Sequence, residues 1–144
     1  MKYFEKQFEV RWADVDPNMH MRQTAYVDYT DQVRIAYFDS MGFSFLKFRK
    51  LKIGPVVFKV TSNYRKEVHL SEIITVNCKI DYVSEDFRKF KISHEIFNSM
   101  DELSCVVELE GAWLDLVQRK ITVPPQEMIE IMKQEQSKSY NKAS

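Results

Sequence analysis

The chain has 144 residues and 44% of them are apolar, so a single domain with its own core is expected, without a need for disulfides or a metal to hold it. Its 21 Lys and Arg balance 21 Asp and Glu. That balance excludes a general attraction to nucleic acid or to an anionic membrane, so an anionic ligand has to be held by local groups.

Residues 3–12 (YFEKQFEVRW) are aromatic and roughly alternating, which predicts a strand. The segment Met1 to Lys6 has no apolar stretch of the signal-peptide kind. A polar break, Ala13 to Asn18, contains Pro17. Thr24 to Met41 follows as a helix, with Tyr26, Tyr29, Val33, Ala36, Tyr37 and Met41 stepping by three or four. Thr24 suits its N-cap, Asp28 its first turn and Gly42 its stop. Phe43 to Lys52 is a connecting piece, and after Gly54-Pro55 the period changes to two. Phe58, Val60 and Tyr64 share one face in 56–65; Ile74, Val76, Cys78, Ile80 and Tyr82 do so in 73–82. The same holds for Phe90, Ile92, His94 and Ile96 in 88–97, and for Leu103, Cys105, Val107, Leu109, Trp113 and Val117 in 103–117. Short polar turns between these segments predict antiparallel strands. Pro124-Pro125 ends the sheet, and Glu127 to Gln134 reads as a short amphipathic helix. The domain is expected over 1–135, with a polar tail at 136–144.

This order is α+β: a strand, one long helix, four long strands and a short helix. A helix that is apolar around most of its girth needs burial on several sides, which a strongly curved antiparallel sheet supplies. Such a sheet keeps an open edge, so a homodimer or homotetramer is expected. The apolar runs are too short to span a bilayer, and Cys78 and Cys105 stand alone, which points to a reducing compartment and a cytoplasmic protein.

The chemically informative segment is RWADVDPNMHMRQTAYVDYTDQVR, residues 11–34. Asp16, Asn18 and His20 occur at steps of two just before the helix. A helix start offers unpaired N–H groups and a positive dipole end, which can polarise a carbonyl and hold the oxyanion made when it is attacked. A carboxylate beside it can activate water or attack directly. Asp-Pro-Asn is equally ordinary turn chemistry, and spacing alone leaves both readings open.

The same segment resembles the signature of the hotdog-fold thioesterases of the 4-hydroxybenzoyl-CoA and acyl-CoA thioesterase group. Trp12, Asp14, Asp16, His20, Tyr26, Asp31 and Arg34 fall in register with that pattern. Asp16, Asn18 and His20 also match the D-x-N-x-H arrangement of plant acyl-ACP thioesterases. The resemblance implies a hotdog fold and hydrolysis of an acyl or aryl thioester of CoA, with Asp16 and His20 as catalytic residues. It implies that Asn18, Gln23, Thr24 and Asp31 bind substrate and that Arg88 and Lys89 hold the CoA phosphates. CoA enters as part of the substrate, and no separate cofactor is implied. An acyl-ACP thioesterase and a non-catalytic acyl-CoA-binding hotdog protein are the rival readings. The departures are Met19 in place of the family's Gly and Met21-Arg22-Gln23 in place of Val-Asn-Asn.

The remaining candidates read as structural. His94 lies on an apolar strand face as a core histidine, and His69 looks incidental in a turn. Three histidines without ligand spacing predict no metal site. Cys78 and Cys105 lie on apolar faces as packing, and three glycines leave no phosphate-cradling loop.

Overall fold

The computed structural model describes residues 3–143, with side chains through residue 138; Met1, Lys2 and Ser144 lie outside the described residues. Strand β1 (Phe4–Glu9) leads through a 3₁₀ turn at Trp12–Asp14 into helix α1 (Gln23–Ser40). A short helix α2 (Phe45–Leu51) precedes the long strands β2 (Ile53–Tyr64), β3 (Ile73–Val83), β4 (Lys89–Phe97) and β5 (Leu103–Asp115). A two-residue strand β6 (Lys120–Ile121) and helix α3 (Gln126–Ala143) complete the chain. All pairings are antiparallel, in the order β1-β3-β4-β5-β2, with β6 beside β5. This is the curled sheet around a helix that the sequence predicts, a hotdog fold.

Helix α1 buries Ala25, Tyr26, Tyr29, Thr30, Val33, Tyr37 and Phe38, at the three-and-four spacing of one wide stripe. Opposite it stand Ile74, Val76, Cys78 and Ile80 of β3 and Ile92, His94 and Ile96 of β4, all buried. Trp113 of β5 sits among Phe38, Phe48 and Phe90 with ring centroids 5.3–6.0 Å apart. Such aromatic pairs each contribute about 0.5–1.5 kcal/mol beyond their buried area. Trp12, by contrast, is 72% exposed on the loop after β1.

Several sequence expectations change. β1 stops at Glu9, because Val10 turns into the core and the chain coils at Trp12–Asp14. Tyr82 faces outward, because a register shift between Ile80 and Tyr82 hands its inward place to Val83. Phe58, Val60 and Tyr64 are exposed, because β2 is the edge of the sheet and its register shifts between Val57 and Lys59. Val117 lies past the end of β5 and is also exposed. The C-terminal helix runs well past Gln134, through Ala143, so residues 136–143 are helical rather than a frayed tail. The Tyr37 hydroxyl, which donates to Glu135 Oε1 at 2.6 Å, pins it to α1.

Candidate active site

The loop between β1 and α1 is anchored by Asp14, which is buried. Arg11 donates to both its oxygens, at 2.9 and 3.0 Å, and the Tyr29 hydroxyl donates to Oδ2 at 2.5 Å. The Arg11 hydrogen bonds outweigh burial and hold the Asp14 carboxyl below its ordinary range. The Arg22 N–H donates to the Asp14 carbonyl at 2.8 Å, so this residue ties the loop to the helix entry at two points. Its role is to hold the loop.

Residues 15–21 then form a tight turn closed by a bridge between Val15 and Met21. The Asp16 N–H donates to the His20 carbonyl and the Met19 N–H to the Asp16 carbonyl, both at 2.9 Å. Asp16 Oδ1 accepts from the N–H groups of Asn18 (2.8 Å) and His20 (3.3 Å), so the carboxylate is oriented by the turn it caps. Met19 has φ +68°, the left-handed conformation that glycine favours. The position where the resembled signature has glycine thus takes, with a methionine on it, a backbone shape that glycine adopts freely.

Helix α1 begins at Gln23 with no side-chain cap. The Ala25 N–H turns back to the Arg22 carbonyl at 3.0 Å, and Gln23 borders the adjacent cleft at the positive end of the helix dipole. The cleft has a volume of about 290 Å³ and brings together Asp16, His20 and Gln23 with Tyr26 and Tyr64. Tyr26 stacks edge-to-face on Tyr64, whose hydroxyl donates to the Gln23 carbonyl at 2.8 Å. Burial pushes the Tyr26 phenol up to about 12, so it stays protonated. Arg65, Lys66 and Glu67 form the outer rim.

The other expected site residues fall elsewhere. Asn18 is exposed at the tip of the turn, and Thr24 Oγ1 accepts from Arg22 rather than facing the cleft. Asp31 pairs with Arg34 about 12 Å along the helix from Gln23. There both border a second, largely apolar cleft of about 420 Å³, walled by Phe38, Phe43, Phe48 and Phe90. Arg88 and Lys89 stand at the β3–β4 turn, while Asp16 lies by the opposite end of β3, about 30 Å of strand away. Within one chain they do not meet the Asp16 cleft. Cys78 and Cys105 are buried packing residues, and burial pushes the Cys105 thiol up to about 11, which leaves no thiolate for catalysis at neutral pH. Sequence reasoning missed the cleft-lining Tyr64, Arg65, Lys66 and Glu67. The only advance signal was the polar cluster that follows β2, which looks like an ordinary turn.

Among solved structures, protein SAV2348 of Staphylococcus aureus in complex with CoA superposes with a TM-score of 0.88 at 16% identity, over 94% of this chain and 85% of that one. The DHNA-CoA thioesterase of Staphylococcus aureus gives 0.85 at 20% identity, over 100% and 97% of the two chains. In sequence, the chain is 27% identical to YneP of Bacillus subtilis (strain 168), a proposed acyl-CoA thioesterase, over 106 residues that make up 72% of this chain and 74% of YneP. The fold is that of the hotdog thioesterases. The model of the thioesterase-like superfamily matches residues 10–132, and the chain belongs to that superfamily. Its enzyme class is that of the thioester hydrolases.

Proposed function

We propose that this chain hydrolyses an acyl-CoA or aryl-CoA thioester to the free acid and CoA, with Asp16 as general base or nucleophile. The observation that carries this reading is the meeting of Asp16, His20 and Gln23 in one cleft at an uncapped helix start. The N–H groups of Gln23 and Thr24 donate to the developing oxyanion. In one route Asp16 takes a proton from a water that adds to the carbonyl carbon, the C–S bond breaks and the thiolate receives that proton. In the other the carboxylate attacks, the C–S bond breaks to leave a mixed anhydride on Asp16, and water then cleaves the anhydride to free acid and carboxylate, its proton going to the thiolate. His20 lies against the same reacting space and orients the thioester. Asn18 holds the turn, and Asp31 marks the apolar cleft that takes the far end of the acyl group. Arg88 and Lys89 reach a CoA in this cleft only from a second copy of the chain, which makes a homodimer part of the proposal. CoA is substrate here and no further cofactor is invoked.

The test is a hydrolysis screen over acyl-CoA and aryl-CoA substrates, followed by Asp16→Asn on the best of them. Asparagine keeps the Oδ1 that accepts from Asn18 and His20, so the turn survives. The amide supplies neither base nor nucleophile, and kcat should fall at least about a hundredfold. Thermal unfolding is followed in parallel and should not move. Unchanged turnover removes Asp16 from the chemistry, and saturable CoA-thioester binding without turnover in the wild type selects a binding protein instead.

A further inference from the structure

The loop that carries Asp16 also builds a second arrangement of side chains. His20 and His69 are joined by an isolated antiparallel bridge, and their rings meet edge to face at 5.2 Å. Residues directly opposite in such a bridge send their side chains to the same side. Val68 points into the core, which leaves Glu67 and His69 exposed on either side of it. One oxygen, Glu67 Oε2, then stands 3.0 Å from His20 Nε2 and 3.8 Å from His69 Nε2. The three ligand atoms lie within 4.8 Å of one another. Zinc bonds of about 2.0–2.1 Å at tetrahedral angles put ligand atoms about 3.3 Å apart, so small rotations of exposed side chains close the set.

A second observation points the same way. His69 Nδ1 lies 3.0 Å from Glu72 Oε2, so the Nδ1–H donates there and the Nε2 lone pair is left toward Glu67. Glu72 is itself fixed. It accepts from the His69 N–H at 2.6 Å and from Ser99 N–H and Oγ–H at 3.2 and 2.7 Å. A carboxylate that is held in place and grips the far nitrogen of an imidazole is the usual outer support of a metal-binding histidine.

We propose that His20, Glu67 and His69 form a zinc site on the wall of the Asp16 cleft, with Glu72 orienting His69 from behind. Two imidazoles and one carboxylate suit zinc and disfavour magnesium and calcium, which prefer oxygen alone. Three protein ligands leave a fourth position for water or for a group bound in the cleft. The proposal stands on this geometry and does not depend on thioester hydrolysis.

The experiment uses the full chain, free of added histidines, with zinc chloride as the probe. The chain holds three histidines, so its imidazole NMR spectrum has three sets of signals, and buried His94 serves as an internal reference. Zinc should move the His20 and His69 signals together and leave His94 in place, while magnesium at the same concentration moves none. Equilibrium dialysis should give one zinc per chain. His69→Ala should weaken that binding at least about tenfold, and Glu72→Gln should weaken it by roughly 10–100-fold. Excess zinc that leaves the His20 and His69 signals of the wild type unmoved would overturn the proposal, whatever the variants do. So would zinc binding that survives His69→Ala at full strength.

Discussion

At the level of single residues, Met19 holds a glycine-like backbone where the sequence departs from the resembled signature. A non-glycine residue at φ +68° costs roughly 1–2 kcal/mol in local strain. Part of that is offset because glycine loses more entropy on folding, about 0.4–1 kcal/mol. Met19 is half exposed, so its side chain contributes little packing that a substitution would forfeit. Met19→Gly is therefore expected to raise stability by up to about 1 kcal/mol, and Met19→Ile, which is β-branched, to lower it. Denaturant midpoints at unchanged m-value check the order Gly above Met above Ile; the reverse order would mean the turn does not hold this backbone in solution. The residues around the turn also show what was legible in advance. Asp16, His20 and Gln23 were visible because they follow one another along the chain and meet at the start of one helix. Glu67 and His69 were not, because only a bridge between distant segments brings them to His20.

Between elements, one partly buried polar link runs from α1 to β4. Arg34 Nη1 lies 3.2 Å from His94 Nε2, and His94 Nδ1 lies 2.8 Å from the Asn77 carbonyl of β3. The carbonyl takes the Nδ1–H, so Nε2 accepts from Arg34 and the imidazole is neutral. Burial first, and the Arg34 charge second, hold its pKa down to about 3. The unfolded chain, with the histidine near 6.5, binds the proton first as pH falls. The stability tied to this group is thus complete above about 6.5 and is lost on the way down toward 3, at up to about 1.4 kcal/mol per pH unit. Glu72, depressed from 4.5 to about 2, adds its own loss only below about 4.5. Unfolding free energies between pH 6.5 and 4.5 should therefore decline in the wild type and flatten in His94→Gln, which keeps one donor and one acceptor. An equal slope in both would place the titration elsewhere. At this scale the sequence was most readable where strands are covered on one side, as in β4, whose alternation Phe90, Ile92, His94, Ile96 is fully buried. It misled where a bulge shifts the phase, at Tyr82, and where α3 continues through polar residues that carry no apolar period.

Taken whole, the molecule is a sheet curled about α1 with one long edge left open. β2 is twelve residues long, and Phe58 and Val60 stand 60% and 44% exposed on it. An open edge that carries bare apolar side chains invites a further strand. The same strand ends at Tyr64, which grips the start of α1, so pairing along β2 lies next to the cleft. Sedimentation at micromolar concentration is expected to show a dimer or larger assembly. Lys replacing both Phe58 and Val60 should shift it toward monomer while leaving far-UV circular dichroism intact. A wild-type chain that sediments as a monomer would remove the second copy from the proposed function. An open edge was expected, but which strand would form it was hard to read from sequence, since an edge strand and a buried strand can share the same apolar alternation.

The two tryptophans sit at opposite extremes of this architecture, one sealed in the aromatic cluster at the end of α1 and one bare beside the Asp16 turn. Trp113 emits from a dry environment and loses it only when the core opens. Trp12 emits from water two residues ahead of Asp14, within reach of soluble quenchers. The native fluorescence therefore splits into two channels without any label. A quencher-accessible red component follows the loop as ligands or ions enter the cleft, and a protected blue component follows global unfolding. A Trp12→Phe chain isolates the second, so loop motion and loss of the fold can be timed separately in the same cuvette.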